Sequence, residues 1–422
     1  MRSSSIFAGL VALLLLMTGC TRPVANVLLL KAETENKKGD YKAAIADCDY
    51  GILLDPTLLG LHYQRGFARY MLKDYDGALQ DFETEIKVAP HDGGGYFGRG
   101  LVERQREQYD HALIDFNEAI RLKPKFPASF GQRGAVKQSK GDFKGAIEDY
   151  NRSLALSPDD APTISVRAYA EYNLGEDGPA LADFNRAIRL DPNSAQTYVG
   201  RGWIKYLDKN LPGAVNDFNK ALEIDPKVPF AHEDRATARC EKGDYQGAIA
   251  DVEQVIADYP KSADCYMARA IIRYCRLGYR EAIGDCLRAI ELDPKTVTNP
   301  RYRSFLLWLV YNEQQDSASG PKLSDRIDLS AVAAQSDWTS KVAAFFLEQI
   351  NETDFLTAAA SSDKETDRAQ HCQAWYYAGM RRLSDGDKIA AIDYFEKSAN
   401  TDKDTVSEFF FSRNELVTFA RR

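Results

Sequence analysis

Apolar residues recur along this chain at helical spacing, and the spacing itself repeats. In "HALIDFNEAIRLKP", Ala112, Leu113, Phe116, Ala119 and Ile120 fall at i, i+1, i+4, i+7 and i+8, which is one face of a helix. The phrase returns as "GALQDFETEIKVAP", "ALADFNRAIRLDP", "AVNDFNKALEIDP" and "AIGDCLRAIELDP". Each copy closes on a proline, at Pro56, Pro90, Pro124, Pro158, Pro192, Pro226, Pro260 and Pro294, always 34 residues apart. Proline lacks an N–H and its ring opposes continuation, so each ends a helix. A shorter helical stretch such as "YFGRGLVERQ" precedes each phrase, and Gly-Asp pairs at 39–40, 141–142 and 243–244 mark the break between the two. Glycine tolerates the turn, and the aspartate beside it caps the helix that follows. The pattern predicts an all-α chain with eight helix-turn-helix units over residues 25–296.

With proline as position 32 of the unit, other columns align. Position 8 is small (Gly66, Gly100, Gly134, Ala168, Gly202, Ala236, Ala270) and position 20 is always alanine, from Ala44 to Ala282. Position 24 is bulky in most copies (Phe82, Phe116, Tyr150, Phe184, Phe218), and position 27 is mostly small again. Small residues let two helix backbones approach, and the aromatic fills what remains. A 34-residue helix-turn-helix unit with these columns resembles the tetratricopeptide repeat. The resemblance implies an α-solenoid, a right-handed superhelix in which each hairpin buries its apolar face against its neighbours.

Position 7 holds Arg65, Arg99, Arg133, Arg167, Arg201, Arg235 and Arg269, with Lys31 in the first unit, and position 23 is aspartate in all eight, from Asp47 to Asp285. Each cation therefore has its own aspartate on the facing helix, which predicts internal ion pairs rather than an anion site. By the resemblance, positions 2, 5, 9, 12 and 13 face a concave groove. They supply Tyr63, Phe67, Tyr70, Phe97, Leu101, Tyr169, Tyr172, Val199, Trp203, Tyr206, Met267, Ile271 and Tyr274. Such rings either anchor a bound peptide or pack between repeats. The Lys and Asn pattern of carboxylate-clamp repeats is missing at these positions.

After Pro294 the register decays. "RYRSFLLWLVY" fits a first helix, and residues 297–337 read as this degenerate helix plus a linker, with "NEQQDSASGPKLSD" as loop. Order is expected to resume at Trp338, in a helical segment over 338–371 that carries Trp338, Val342, Phe345, Phe346 and Ile350 on one side. A ninth repeat-like unit spans 372–405, with Gly379 at position 8, Ala391 at 20 and Phe395 at 24, and a capping helix follows over 406–422.

The formal charge of −8 and pI of 5.4 provide no cationic footprint for nucleic acid. Residues 1–20 read as an export signal, with Arg2 before an apolar run from Ile6 to Met17 that is too short for the roughly 20 residues of a membrane span. Its end, "LLMTGC", resembles a bacterial lipobox, which implies lipidation of Cys20 and, with Thr21 following, an outer-membrane anchor facing the periplasm. The alternative is an ordinary secretory signal and a soluble periplasmic protein. Of the other cysteines, Cys48 and Cys286 occupy the position 24 aromatic site as small core groups, and Cys240 and Cys275 lie near corresponding helix ends where a bridge stays open. His62, His91, His111, His232 and His371 are scattered without metal-ligand spacing, and "HDGGGYFGRG" lacks the strand and GK[ST] ending of a phosphate loop. No catalytic residue, cofactor or metal is expected.

The lipobox, the repeats, the Trp338 to "FFLEQI" phrase and "CQAWYYAG" together resemble the new lipoprotein I family, over about residues 338–420 in the tail, with Glu348 standing for a family glycine. That resemblance implies an envelope adaptor that delivers peptidoglycan hydrolases to a processing protease. The expected function is a non-catalytic scaffold with envelope enzymes or regulators as partners and a homodimer open. The alternatives are an assembly factor for a pilus or secretion pore, or a small enzyme from residue 338 onward.

Overall fold

The computed structural model describes residues 21–276, 278–315 and 322–401. The expected leader, the lipidation site Cys20 and the capping helix over 406–422 lie outside these residues. Among the described residues every regular element is helical. The chain divides into two compact units, residues 1–204 and 205–422.

Each repeat has a first (A) and a second (B) helix. In the first unit these are Thr21–Lys38 and Tyr41–Leu54, Leu61–Met71 and Tyr75–Val88, Gly93–Gln105 and Tyr109–Leu122, Pro127–Ser139 and Phe143–Leu156, then Ala161–Asn173 and Asp177–Leu190. Repeat 6 has Ala195–Leu207 and Leu211–Ile224, repeat 7 Ala231–Lys242 and Tyr245–Asp258, and repeat 8 Ala263–Cys275 and Tyr279–Leu292. The residue before each proline is the C-cap of the B helix and has left the helical region, fully extended at Asp55, Asp191, Asp225 and Asp293, because the proline ring clashes with a helical residue before it.

The turn between A and B demands a left-handed residue at position 15. Glycine fills it at Gly39, Gly141, Gly175 and Gly243, with φ between 77° and 85°. Lys73, Glu107 and Lys209 take the same conformation at 59–65° without being glycine. The next residue caps the B helix, as where the Asp74 and Asp142 carboxylates accept from the Gly77 and Gly145 amides at 3.0 and 2.9 Å.

The small and aromatic columns meet as the sequence implies. A Cβ on Gly66, Gly100 or Gly134 would come within 2.9 Å of the Phe82, Phe116 or Tyr150 ring. The same contact joins Gly379 to Phe395 at 2.8 Å, so the segment from Cys372 is built like a repeat, with helices Lys364–Ser384 and Lys388–Ala399. Cys48 and Cys286 are fully buried in the aromatic's place, and burial pushes the Cys48 thiol up to about 12. Cys240 and Cys275 are not bridged.

The stretch after Pro294 holds more structure than its composition suggests. The helix Pro300–Gln315 takes in Asn312, Glu313 and the two glutamines, residues a helix tolerates at small cost. Leu323–Asp325 and Leu329–Ala333 are short helical turns before Trp338, pinned because Leu323, Ile327, Leu329 and Val332 are buried in the core. The Trp338 helix stops at Phe346, so Ile350 lies beyond it. The chain turns at Glu348, whose φ is 58°.

Candidate functional site

Position 7 arginines bond the buried position 23 aspartates of their own repeats, with closest contacts of 2.5–2.7 Å in Arg65–Asp81, Arg99–Asp115, Arg133–Asp149, Arg167–Asp183, Arg235–Asp251 and Arg269–Asp285. The same guanidinium reaches back to position 25 of the preceding repeat. Arg133, Arg167, Arg201 and Arg235 donate to Asn117, Asn151, Asn185 and Asn219 at 2.5–2.8 Å. One arginine thus closes its own hairpin and fixes the register of the neighbouring one. A second cation at position 11 shares the aspartate in repeats 2, 4, 6, 7 and 8, through Arg69, Lys137, Lys205, Arg239 and Arg273 at 2.7–2.9 Å. These arginines are committed to the fold.

Repeats 1, 3 and 5 place Glu35, Glu103 and Glu171 at position 11 instead. Glu171 is buried, and burial first, then the Asp183 carboxylate, pushes its pKa up to about 7, against the opposing charge of Arg167 at 3.7 Å. A carboxyl with a raised folded pKa favours the fold most when protonated, so its contribution is full below the ordinary value near 4.5 and is lost as pH rises towards 7. Glu171→Gln should therefore raise stability at pH 8 by about 1–2 kcal/mol, after discounting for solvent screening, with no gain at pH 4. Urea titrations at the two pH values check this; equal effects at both would contradict it.

The aromatic residues of the A helices divide by burial. Phe97 and Leu101 are 7% exposed and Tyr206 and Tyr274 5%, so these four are packed between helices. Met267 and Val199 are likewise buried. Tyr63, Phe67, Tyr70, Tyr169, Tyr172, Trp203 and Ile271 are half-buried and show part of their surface. In the first unit their polar ends are tied down: the Trp203 Nε1–H donates to the Tyr172 hydroxyl at 2.8 Å, and the Tyr169 hydroxyl donates to the Gln196 carbonyl at 2.7 Å. Ring packing holds the rest, with Tyr63 on Phe82 at 5.8 Å, Tyr70 on Tyr75 at 5.7 Å and Tyr169 on Phe184 at 4.9 Å. The result is a row of half-buried rings packed against their neighbours.

Tyr274 serves a different end. Its hydroxyl meets the Tyr376 hydroxyl at 3.0 Å and accepts from Trp308 Nε1 at 2.6 Å, while Phe305 packs edge-on at 5.4 Å. In the second unit this part of the A-helix face of repeat 8 is covered by the chain's own downstream helices. Trp338 and Gln373, from the two tail phrases, also come together, Trp338 Nε1 donating to Gln373 Oε1 at 2.6 Å. A cleft of about 310 Å³ in this tail region is lined by Phe345, Glu348, Ile350, Glu352, Arg381 and Arg382. Its cations are spent on Arg381–Glu348 and Arg382–Glu352 pairs at 2.5 and 2.7 Å.

His62 and His232 at position 4 lie 3.8 and 3.6 Å from Asp81 and Asp251, as members of the ion-pair clusters. Among the described residues no cluster of three or more His, Cys, Asp and Glu is arranged to hold a metal, and no helix is long and apolar enough to cross a membrane.

Tetratricopeptide-repeat models match residues 63–127, 128–160 and 166–229. The repeats are tetratricopeptide repeats. Among solved structures, the APC/C hetero-tetramer Cut9–Hcn1 is similar with a TM-score of 0.51 at 15% identity, over 66% of this chain and 56% of that one. This chain thus spans about half of that structure, and the likeness is one of fold. A tetratricopeptide repeat protein from Parabacteroides merdae gives 0.43 at 20% identity over 56% of this chain and 94% of its own, and PilF of Pseudomonas aeruginosa 0.46 at 14% over 51% and 98%. No curated protein matches this sequence. Tetratricopeptide repeats generally mediate protein–protein interactions.

Proposed function

We propose that this chain is a non-catalytic adaptor of the bacterial cell envelope that binds peptide or protein segments along the aromatic A-helix face of its first unit. The observation that carries the reading is the row of half-buried rings from Tyr63 to Trp203, of which Tyr169, Tyr172 and Trp203 have their polar ends hydrogen-bonded. Aromatic anchors with few free rotors lose little entropy on binding. Ile271 in repeat 8, in the second unit, is half-buried, whereas Tyr206 and Tyr274 act as core.

The export signal and the "LLMTGC" end support lipidation at Cys20 and a place on the periplasmic face of the outer membrane. The tail resemblance supports a role with peptidoglycan hydrolases or their processing. The test is co-purification from envelope extract with the form beginning at Thr21, beside fatty-acid labelling of the full chain. Hydrolases or their regulators should be recovered, and Phe67→Ala combined with Trp203→Ala should reduce recovery about tenfold without loss of helicity. Cys20→Ser should abolish the label. Undiminished capture by the double variant would move binding off this face.

A further inference from the structure

Repeat 1 opens the stack, and two columns show what that leaves uncovered. Position 3 holds Leu61, Gly95, Ser129, Thr163 and Thr197 in repeats 2–6, and all five are buried. The preceding B helix covers this column: Leu61 lies 2.7 Å from the position of a Cβ on Gly51, and a Cβ on Gly95 would meet Ile86 at 2.8 Å. Position 10, from Ala68 to Ile204, is buried in the same five repeats. Their equivalents in repeat 1, Val27 and Thr34, are exposed, Val27 at 64%, with Leu30 between them at 63%. Val27, Leu30, Thr34 and Lys37 follow i, i+3, i+7 and i+10, so they form one face of the A helix.

The B helix of repeat 1 is unusual on its outer side as well. Position 29 is Lys87, Arg121, Ala155 and Arg189 in repeats 2–5, but Leu53 here. Position 26 is Thr84, Glu118, Arg152 and Arg186 there, but Tyr50 here. Leu53 and Leu59 are each more than half exposed, and they flank Asp55, which pairs with Arg22 at 3.6 Å. That pair sets these two leucines beside the start of the A helix. Exposed large apolar side chains are thus gathered in the first hairpin and the turn after it, and a solenoid end of this kind normally carries a polar cap.

The position of the lipidation site names the occupant. The A helix begins at Thr21, the residue after Cys20, so no linker separates an acylated Cys20 from the folded hairpin. Val27 lies six residues further on, about 9 Å along the helix axis. A bilayer that holds the acyl chains therefore lies within reach of this face. The charges permit the approach, because Asp47, Asp49 and Asp55 are held by Lys31, Arg65 and Arg22 at 2.8, 2.6 and 3.6 Å. Lys37 and Lys38 are exposed at the far end of the helix, where long stems carry ammonium groups to headgroups.

We propose that the open face of repeat 1 docks on the bilayer that holds the Cys20 anchor, with Val27, Leu30, Leu53 and Leu59 entering the boundary between headgroups and acyl chains. The stack then starts on the membrane surface instead of hanging from it. This inference rests on the lipid-anchor reading above and adds a second, protein-borne contact to it.

The test uses the full acylated chain reconstituted in vesicles of phosphatidylethanolamine and phosphatidylglycerol. A solvatochromic fluorescent amino acid replaces Leu30, Leu53 or, as control, the exposed Ile114 on the B helix of repeat 3, and lipids with brominated acyl chains serve as contact quencher. Emission from positions 30 and 53 should shift to the blue on reconstitution and be quenched several-fold more strongly than emission from 114. Val27→Lys combined with Leu59→Lys should reduce quenching at position 30 several-fold. Both side chains are exposed, so this variant should melt with the parent and keep its fatty acid. Fatty acid on Cys20 is read separately, from the mass of the N-terminal peptide. An acylated chain whose positions 30 and 53 stay in water would overturn the docking and leave the anchor intact. A blue shift that grows with protein concentration and ignores brominated lipid would overturn it in favour of a second copy of the chain. A chain that carries no fatty acid and stays off the vesicles would remove both the docking and the anchor reading beneath it.

Discussion

Asp81→Ala should destabilise the first unit by about 3–5 kcal/mol, the largest effect expected of a single polar substitution in this chain. Its carboxylate is buried and is held by Arg65 through Nε at 3.1 Å and Nη2 at 2.6 Å, and by Arg69 at 2.8 Å. Burial alone would raise its pKa, yet His62, Arg65 and Arg69 hold it below the ordinary value. Removing the acid leaves two partly buried guanidiniums without the buried carboxylate they share, and only the more exposed Asp49 and Asp74 near them. Arg65 also bonds Asp49 of the preceding repeat at 2.6 Å, so the damage crosses the repeat boundary. Asp76→Ala is the matched control: that side chain is 95% exposed in its pair with Arg106, and such pairs contribute about 0–1 kcal/mol. Urea unfolding followed by circular dichroism measures both. Equal midpoints for the two variants would mean that the buried pairs do not carry the stack.

Phe116→Ala should cost about 3–5 kcal/mol, through lost transfer energy plus the cavity left at a rigid helix pair. Phe116 is completely buried, sits over Gly100 with 2.8 Å to the position of an added Cβ, and touches Phe97 at 5.9 Å between centroids. The cavity would lie between the A and B helices of repeat 3, so early proteolysis should fall near residues 93–122. Phe126, which packs edge-on against Phe97 at 5.1 Å but is 37% exposed, should lose only about 1 kcal/mol on the same change. A Phe116→Ala melting temperature close to that of Phe126→Ala would contradict the packing described for position 24.

The repeats were legible in the sequence because their causes are local. Proline, the position 15 turn and the small and aromatic columns act within one hairpin, and Gly379 against Phe395 was legible for the same reason. The left-handed turns at Lys73, Glu107 and Lys209 could be located only by register, since none is glycine. The arginine–aspartate pairs were visible as columns. Their reach to Asn117, Asn151, Asn185 and Asn219 was not read, although the asparagine column at position 25 was there to be seen.

Burial of the aromatic band was less accessible, because it depends on contacts far apart in sequence. Tyr274 reads like its equivalents at position 12 until Tyr376, 102 residues later, closes on it. Phe97 and Leu101 look like contact residues, yet neighbouring helices cover them. Order before Trp338 was hidden because "NEQQDSASGPKLSD" reads as polar loop, while Leu323, Ile327 and Leu329 just beyond the serines enter the core.

The most direct test of the central claim is site-specific photo-crosslinking in cells, with p-benzoylphenylalanine replacing Phe67 or Trp203 on the A-helix face, or Ile114, which is 64% exposed on the B helix of repeat 3. If the ring-lined face holds another polypeptide, positions 67 and 203 give adducts with the same envelope protein and position 114 gives none. Adducts at 114 with none at 67 or 203 would contradict the account.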